Sequence, residues 1–367
     1  MRIAIAGGSL GGLFAAALLC QDGHEVSVHE RSVSGLAGRG AGLVAQEDVF
    51  AILRLLGRPE VAEAGVTARD RITLDRSGSI VHRDARSQMQ ISWDALHRAV
   101  RKAVPDGSYH LGSEVISAET RNGAAMLRIA DGGVIDADLV IGAEGIGSPV
   151  RRSMAGAGAA EPRYAGYVAW RFLLPESHLS MLSATVLSER FAFFHMEGGQ
   201  VLGYLVSGPE GDTRVGHRRY NCVWYRRVAN LPALLTDTSG RAHAYSLPRG
   251  FVPDAVRKQL VADARDLLPP PFAEVVELEP QPFVQAIFDL ETPTMVEGRL
   301  ALLGDAAFVA RPHTAMGVAK AAGDAMALAS ALRDLPVDAA LGLYKRDRAR
   351  AGRAIVQYGR TLGARLG

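Results

Sequence analysis

The chain has 367 residues, 48% hydrophobic and 22% charged, which is an ordinary globular composition with room for one large or two modest domains. Its 41 basic and 39 acidic residues give a formal net charge of +2, so the expected partner is a small molecule, with no nucleic acid and no membrane. No apolar run reaches the roughly 18 residues of a membrane span, and Cys20 and Cys222 form no disulfide framework, so we expect a cytoplasmic location.

The chain opens with the pattern of a strand, a helix and a second strand. "RIAIA" predicts a short buried strand, and "LFAAALLCQDGH" predicts a helix that ends at Asp22 and Gly23. "EVSVHE" alternates as a second strand that ends at Glu30. This is the βαβ arrangement of a doubly wound sheet.

The turn between the first strand and the helix, "AGGSLGGL", has part of a dinucleotide-binding pattern. Gly7 and Gly12 occupy the outer positions of G-x-G-x-x-G, and Ser9 replaces the middle glycine. A serine is small enough for a phosphate to approach, and its hydroxyl can donate a hydrogen bond. Glu30 lies 18 residues after Gly12, where a carboxylate can accept the hydroxyls of a ribose.

Two later segments also lead an apolar strand into a glycine turn. They are "DLVIGAEG" and "GRLALLGDAAF", and a long helix follows the second. Three such segments at distant positions predict one parallel-sheet domain that is discontinuous in sequence. Between Tyr164 and Pro280 the chain is aromatic and rich in β-formers, which predicts a separate antiparallel sheet. "LPPPF" at 268–272 is interpreted as a stiff connector.

The last glycine segment resembles the second flavin motif of the FAD-dependent aromatic hydroxylases. The matching residues are Gly304, Asp305, Ala306, Ala307, Pro312, Gly317, Asp324 and Ala325. The resemblance implies that Asp305 holds the ribityl chain of FAD. It also implies that the backbone around Ala315 to Val318 faces the flavin ring, where a helix N-terminus would stabilise negative charge.

"DLVIGAEGIGSPVRR" is similar to the middle motif of that family. Glu144 stands where the family has an aspartate, and Trp93 stands where an arginine usually contacts the FAD phosphates. Arg98 and Arg39 are the candidates to replace that arginine. "GGSLGGL", "YAGYVAWR" and the Arg-Pro-His of the last motif are similar to the bacterial 2,6-dihydroxypyridine hydroxylases, a subgroup that also has serine in the first turn.

The resemblance implies the following FAD-binding residues: Gly7, Ser9, Leu10, Gly12, Glu30, Arg31, Arg39, Gln46, Arg98, Val115, Glu144, Gly304, Asp305, Ala315, Met316, Gly317 and Val318. It implies an α/β fold with a discontinuous Rossmann-like FAD-binding domain, an antiparallel β-sheet substrate domain and C-terminal helices. The expected FAD-binding domain comprises 1–163 and 281–367, with a β-rich excursion near 66–92, and the expected substrate domain comprises 164–280.

Three residues are candidates for catalysis. The resemblance puts Pro312, through its carbonyl, and His313 beside the substrate, and a histidine that titrates near neutrality could accept a proton from a ring hydroxyl. The alternative is that His313 only shapes its loop. Tyr204 lies on a strand that covers the flavin in this family, and its side chain could serve either packing or catalysis. Arg171 is a weaker candidate than Tyr204. Lys320 and Asp324, four apart on a helix, are interpreted as a surface pair.

The implied activity is an FAD-dependent monooxygenase that hydroxylates a hydroxylated aromatic or pyridine-like ring through a flavin C4a-hydroperoxide. NAD(P)H and O2 would be co-substrates, no metal is expected, and the protein would be a monomer or a homodimer. The alternatives are a flavin-dependent halogenase or another FAD oxidoreductase, and a non-catalytic nucleotide-binding regulator. A W-x-W-x-I-P stretch, typical of halogenases, is absent from the sequence.

Overall fold

The computed structural model describes residues 1–36, 42–156 and 160–366. The strands are β1 (Arg2–Ala6), β2 (Glu25–Glu30), β3 (Gly42–Val44), β4 (Val66–Ala68), β5 (Asp70–Leu74), β6 (Ile80–Asp84), β7 (Gln88–Ser92), β8 (Tyr109–Leu111), β9 (Val115–Arg121), β10 (Ala124–Ile129), β11 (Val134–Ala137), β12 (Leu139–Gly142), β13 (Arg163–Pro175), β14 (Arg190–Met196), β15 (Gly199–Val206), β16 (Arg219–Arg227), β17 (Ser246–Leu247), β18 (Phe283–Glu291), β19 (Val296–Glu297), β20 (Leu300–Leu302) and β21 (Phe308–Val309). The helices are α1 (Leu10–Gln21), α2 (Glu47–Leu55), α3 (Glu60–Glu63), α4 (Trp93–Arg101), α5 (Pro149–Ser153), α6 (Met181–Leu187), α7 (Leu231–Leu234), α8 (Asp254–Leu267), α9 (Pro270–Leu278), α10 (Gly317–Asp334) and α11 (Val337–Leu362).

A six-stranded sheet in the order β19-β20-β12-β1-β2-β8 forms the first layer of the fold. All of its pairings are parallel except that of β19 with β20. The central strands β1, β12 and β20 are apolar and buried, because α1 packs against β1 and β2, and a three-stranded sheet in the order β11-β10-β9 packs against β1, β12 and β20. The predicted opening βαβ unit is confirmed. Gly23, in the turn after α1, has a φ of +80°, which glycine adopts without strain.

A nine-stranded, mainly antiparallel sheet forms the second layer. Its main path is β17-β18-β13-β16-β15-β14-β5-β6, and β21 pairs with β18. One face packs on α6, α8 and α9, and the other packs against β3, β4, β7 and α11. The predicted combination of parallel sheet, antiparallel sheet and C-terminal helices is therefore confirmed.

The antiparallel sheet extends past the expected limits of 164–280. β18 adds residues 283–291 to one side of it, and β5 and β6 join its other side through a parallel pairing of β5 with β14. β7 of the excursion near 66–92 pairs instead with β3 and β4 in a small three-stranded sheet. These long-range pairings have no local signal in the sequence.

The interpretation of "LPPPF" as a connector is wrong. Pro270 begins α9, with Pro271 following it in the first turn. Proline is favoured there because the first backbone N–H groups of a helix need no intrahelical acceptor. Within the three described ranges, no helix is long and apolar enough to cross a membrane.

Candidate active site

A cavity of about 660 Å³ lies at the carboxyl ends of the parallel strands, and we call it the turn cavity. Residues that directly follow β1, β2, β12 and β20 line it, namely Gly7, Arg31, Ala143 and Leu303. In doubly wound sheets ligands bind at this edge. The three glycine segments, far apart in sequence, thus contribute to one site.

The glycine turn after β1 leaves no room for side chains. Gly7 has a φ of +99°, and a Cβ on it would lie 2.5 Å from the carbonyl oxygen of Ala143. A Cβ on Gly12 would overlap the carbonyl oxygen of Gly7. Ser9 is the N-cap of α1, but its hydroxyl makes no capping hydrogen bond, and the residue lines the turn cavity. The first backbone amides of α1 and the hydroxyl of Ser9 are thus available to an anionic ligand.

Glu30 ends β2 and is 6% exposed at the wall of the turn cavity. One carboxylate oxygen accepts the backbone N–H of Gly8 at 2.9 Å, and the other accepts that of Ser32 at 2.9 Å. Each oxygen retains lone-pair capacity for a ligand hydroxyl. This fixed orientation is what the predicted ribose contact requires.

The last glycine segment builds the opposite wall. Asp305 lines the turn cavity with a side chain 51% exposed, and its Oδ1 lies 3.8 Å from Nζ of Lys320. Lys320 Nζ also lies 3.8 Å from Oδ2 of Asp324, which accepts the backbone N–H of Gly304 at 3.0 Å. The surrounding protein raises the pKa of Asp305 by desolvation, and the Lys320 charge opposes the rise.

The interpretation of Lys320 and Asp324 as a surface pair is wrong. Lys320 is 1% exposed and Asp324 is 2% exposed, because this face of α10 packs against the turn at Gly304 and against α11. Arg348 on α11 completes the buried cluster, with its Nε 2.6 Å from Oδ1 of Asp324. The i, i+4 spacing is the same for a surface pair and for a buried pair, so the sequence alone could not separate them.

The segment before α10 forms a tight turn at the cavity edge. Ala315 has a φ of +56°, and its carbonyl oxygen accepts a hydrogen bond from Nε2 of Gln46 at 2.9 Å. Gly317 and Val318 begin α10 and line the cavity. Met316 lies within the same turn but is not among the lining residues. The N-terminus of an 18-residue helix therefore points at the cavity, where its dipole favours negative charge.

Glu144 follows β12 and lines the turn cavity, but its carboxylate is used within the protein. Its oxygens accept the hydroxyl of Ser148 at 2.7 Å and the backbone N–H of Val150 at 3.1 Å. Burial raises the pKa of Glu144 to about 7, although these hydrogen bonds lower it. The carboxylate thus points toward the start of α5.

The expected replacement for the missing phosphate-binding arginine is not found at Arg98. Trp93 lines the turn cavity and stacks on His97, with ring centroids 4.8 Å apart, whereas Arg98 lies elsewhere on α4 and lines neither this cavity nor its neighbour. Arg39 lies outside the described residues. Arg31 and Arg152 line the turn cavity and bring positive charge to it, and the sequence reasoning overlooked Arg152.

Most of the remaining residues expected to contact FAD also line the turn cavity. Leu10 and Val115 line it, as do Gly304 and Gly317. Gly12 does not line the cavity, and its role is to allow the close approach to Gly7.

A second cavity of about 650 Å³ adjoins the first, and we call it the sheet cavity. It lies between the antiparallel sheet and the turn before α10. The two cavities share six lining residues, which are Trp93, Ile146, Tyr245, Asp305, Gly317 and Val318. Aromatic side chains dominate the sheet side, namely Phe191, Phe193, Tyr204, Tyr225, Phe283 and Phe288.

His313 lines the sheet cavity with both ring nitrogens near partners. Nε2 lies 3.0 Å from the carbonyl oxygen of Gly359 and must carry the proton, since a carbonyl only accepts. Nδ1 faces the hydroxyl of Tyr167 at 3.4 Å. Burial lowers the pKa of His313, and the Arg311 charge adds to this, while the Gly359 carbonyl opposes it. His313 is therefore neutral near pH 7, and its hydrogen bond to Gly359 of α11 fixes the orientation of the ring.

Tyr204 and Pro312 also line the sheet cavity. Tyr204 is 5% exposed and stacks on Phe191 with ring centroids 4.6 Å apart, and burial raises the pKa of its hydroxyl. The carbonyl of Pro312 accepts the backbone N–H of Ala315 at 2.9 Å, so one of its lone pairs is already used. The structure brings all three catalytic candidates to one cavity and leaves their roles open.

Two arginines, Arg71 and Arg171, line the sheet cavity. The sequence indicated Arg171 only as a weak candidate for the site and did not indicate Arg71. Arg71 donates to Oε1 of Gln88 from Nε at 2.8 Å. Alternation along β13 could have assigned Arg171 to the face that also carries Tyr167. It could not have shown that this face looks into a cavity.

The chain matches two family models. The model described as "FAD binding domain-like" matches residues 164–289, and the one described as "FAD binding domain" matches residues 274–358. The second match covers the wall formed by Asp305 and the start of α10. FAD is therefore the nucleotide that this family binds.

Curated and solved proteins extend the match to most of the chain. The 2,6-dihydroxypyridine 3-monooxygenase of Paenarthrobacter nicotinovorans is 32% identical over 335 residues, which are 89% of this chain and 82% of that protein. The 6-hydroxynicotinate 3-monooxygenase of Pseudomonas fluorescens is 27% identical over 95% of this chain and 87% of that protein. The solved 2,6-dihydroxypyridine-3-hydroxylase from Arthrobacter nicotinovorans matches with a TM-score of 0.92 at 29% identity, covering 100% of this chain and 92% of that one. The chain belongs to the FAD-dependent class A aromatic hydroxylases.

Proposed function

We propose that this protein is an NAD(P)H-using monooxygenase that hydroxylates a hydroxylated pyridine or a related aromatic ring. The observation that carries the proposal is the junction of the two cavities at Asp305, Gly317 and Val318. A flavin ring held at this junction would present one edge to the aromatic sheet cavity. The named activities of the relatives on dihydroxypyridine and hydroxynicotinate support this substrate class.

The residues of the turn cavity fit FAD. The cavity beside Gly7, Ser9 and Gly11 would take a pyrophosphate, Glu30 offers oriented oxygens to a ribose, and Asp305 offers a carboxylate to the ribityl hydroxyls. The N-terminus of α10 would stabilise negative charge on the reduced ring. When bound, FAD takes electrons from NAD(P)H and uses O2 to supply one oxygen atom to the substrate.

The protein itself must position the ring and exclude water. The face of the antiparallel sheet does both, because Phe191, Tyr204 and Tyr225 present apolar surface that is nearly inaccessible to solvent. Substrate rings can stack or pack edge-on against these aromatic groups. A dry site also protects a reactive oxygen donor from side reactions.

Removal of the ring hydroxyl's proton is assigned to His313 as a hypothesis, with Tyr204 as the alternative. Nδ1 of His313 holds the acceptor lone pair, since Nε2 donates to Gly359, and the hydroxyl of Tyr167 lies 3.4 Å from it. Its lowered pKa keeps the ring in the neutral form that can accept a proton, and also makes the protonated form less stable. A ring hydroxyl that gives its proton to Nδ1 would take the place of the Tyr167 hydroxyl there.

The domain limits, the location and the assembly remain parts of the proposal. We place FAD on residues 1–163 and 281–367 and substrate recognition on 164–280, with β5, β6 and β18 added to the substrate side. We propose the cytoplasm as the location, since NAD(P)H is available there, and a monomer or homodimer as the assembly.

The test begins with the absorption spectrum of the purified protein, which should show bound flavin. Hydroxylated pyridines and benzoates are then screened for stimulation of NADH or NADPH oxidation, and products formed under ¹⁸O2 are analysed by mass spectrometry. The proposal predicts a ring product that carries one ¹⁸O atom. No flavin after reconstitution would favour a nucleotide-binding regulator, and a chloride-dependent halogenated product would favour a halogenase.

A further inference from the structure

Arg171 enters the sheet cavity from the middle of the antiparallel sheet. On β13 it has the same parity as Tyr167 and Ala169, which pack on the cavity face, whereas Trp170 and Phe172 pack in the core on the other face. In register, Arg171 lies opposite Val223 on β16 and Phe283 on β18, and both of these residues also line the cavity.

Its guanidinium has no ion-pair or hydrogen-bond partner among residues 1–36, 42–156 and 160–366. The other charged residues that line the sheet cavity are Arg71 and Asp305. Arg71 is engaged with Gln88, and Asp305 lies near Lys320 at the junction with the turn cavity. The charge of Arg171 is therefore uncompensated in a half-buried position. Its N–H donors are therefore available to an anionic ligand in the cavity.

The charge of Arg171 acts on two tyrosine hydroxyls of the same cavity. Its positive charge opposes the burial that raises the pKa of the Tyr204 and Tyr225 hydroxyls. It would act in the same direction on a hydroxyl of a bound ring, favouring the ionised form. His313 adds no competing charge, because its own pKa is lowered.

We propose that Arg171 binds an anionic oxygen substituent of the substrate ring, either a carboxylate or an ionised hydroxyl, and so selects anionic rings. This inference rests on the proposed function and narrows its substrate class. Arginine suits the role because its planar fork can donate two hydrogen bonds to a carboxylate or one to an oxyanion.

The experiment measures ring binding to the FAD-loaded enzyme from the change in flavin absorbance, for wild type, Arg171→Gln and Arg71→Gln. Two matched pairs separate the sources of charge: a hydroxypyridine carboxylate with its carboxamide, and a dihydroxypyridine with its methoxy derivative. Arg171→Gln should weaken binding of the charged member of at least one pair by about 10- to 100-fold, as expected for loss of a hydrogen bond between charged groups. Its effect on the neutral members should stay within about 3-fold.

Arg71→Gln removes one positive charge from the same cavity and should weaken the charged rings by less than Arg171→Gln does, since Arg71 is already held by Gln88. FAD content and thermal unfolding confirm that each variant is folded. Equal losses for charged and neutral rings, or no loss for either, would overturn the assignment while leaving the hydroxylase proposal intact. If wild type binds no ring of the panel and hydroxylates none, the proposed function fails and this inference falls with it.

Discussion

Replacing Lys320 by methionine tests the buried charge cluster behind the turn cavity. The side chain of Lys320 is fully buried, and Nζ has no hydrogen-bond partner within the part of the chain that the structure describes. It lies 3.8 Å from an oxygen of Asp305 and 3.8 Å from an oxygen of Asp324. Lys320→Met keeps most of the length of the side chain and removes its charge.

The expected loss of stability follows from these distances. Each attraction is about 4 kcal/mol at an effective dielectric of roughly 20, while desolvation of the ammonium offsets several kcal/mol. Asp324 retains Arg348 and the backbone N–H of Gly304, and Asp305 is half exposed, so its share is screened. We therefore expect Lys320→Met to lower the free energy of unfolding by about 2 to 4 kcal/mol, at or below the usual range for breaking a buried pair.

The loss should depend on pH in a defined direction. Desolvation raises the pKa of Asp305, and the Lys320 charge holds the rise back, so the variant's Asp305 has a higher pKa than that of wild type. A carboxyl with a raised folded pKa destabilises the fold when ionised and ceases to do so as pH falls through that pKa. The deficit of Lys320→Met should therefore be larger near about pH 8 than near about pH 5.

Urea unfolding of the apoprotein at both pH values measures the effect without a contribution from bound FAD. Lys345→Met, an exposed lysine on α11, is the matched control and should change stability by less than about 0.5 kcal/mol. If Lys320→Met were as stable as wild type near about pH 8, or if its deficit grew toward acid, the electrostatic reasoning would be refuted.

Three further changes probe the two cavities. Asp305→Ala should bind FAD about 10- to 150-fold more weakly by fluorescence titration, because the ribityl chain loses a charged acceptor, and wild-type affinity would contradict the assignment. Gly12→Ala should prevent FAD binding and lower the melting temperature, since its Cβ would overlap a backbone carbonyl, whereas Ser9→Gly, measured alongside it, should be mild. His313→Gln should retain FAD and its reduction but slow hydroxylation by about 10²- to 10⁴-fold and release more peroxide per NAD(P)H. Full coupling in that variant together with uncoupling in Tyr204→Phe would move the assignment to Tyr204 and its neighbours.

Local patterns in the sequence were sufficient for the elements and for much of the site. Alternation and the glycine turn predicted β1, α1 and β2, and the position of Glu30 followed from the end of β2. These features depend on neighbours within about 25 residues, which is the reach of a βαβ unit. The resemblance to flavin motifs pointed to Asp305 and the turn before α10, and Asp305, Gly317 and Val318 line both cavities.

Tertiary contacts decided the features that the sequence left open. Lys320 is buried because α11 covers its face of α10, and Arg348, 28 residues later, gives the cluster its second cation. Arg171 carries the same alternation signal whether its face of the sheet packs on a helix or opens on a cavity. Trp93, the first residue of α4, lines the cavity, whereas Arg98 lies more than one helical turn further along α4 and does not line it.

The order of strands in the parallel sheet has a consequence for synthesis of the protein. β1 is made first, but β12 and β20, which complete its side of the sheet, follow roughly 140 and 300 residues later. At about 5–20 residues per second, the interval before β20 emerges is about 15 to 60 s. During that time α1, in which Leu13, Phe14 and Leu19 are fully buried in the finished protein, has no α10 to pack against. The apolar segment of α1 therefore lacks its α10 partner for most of translation, which makes it a segment that a holdase chaperone could bind.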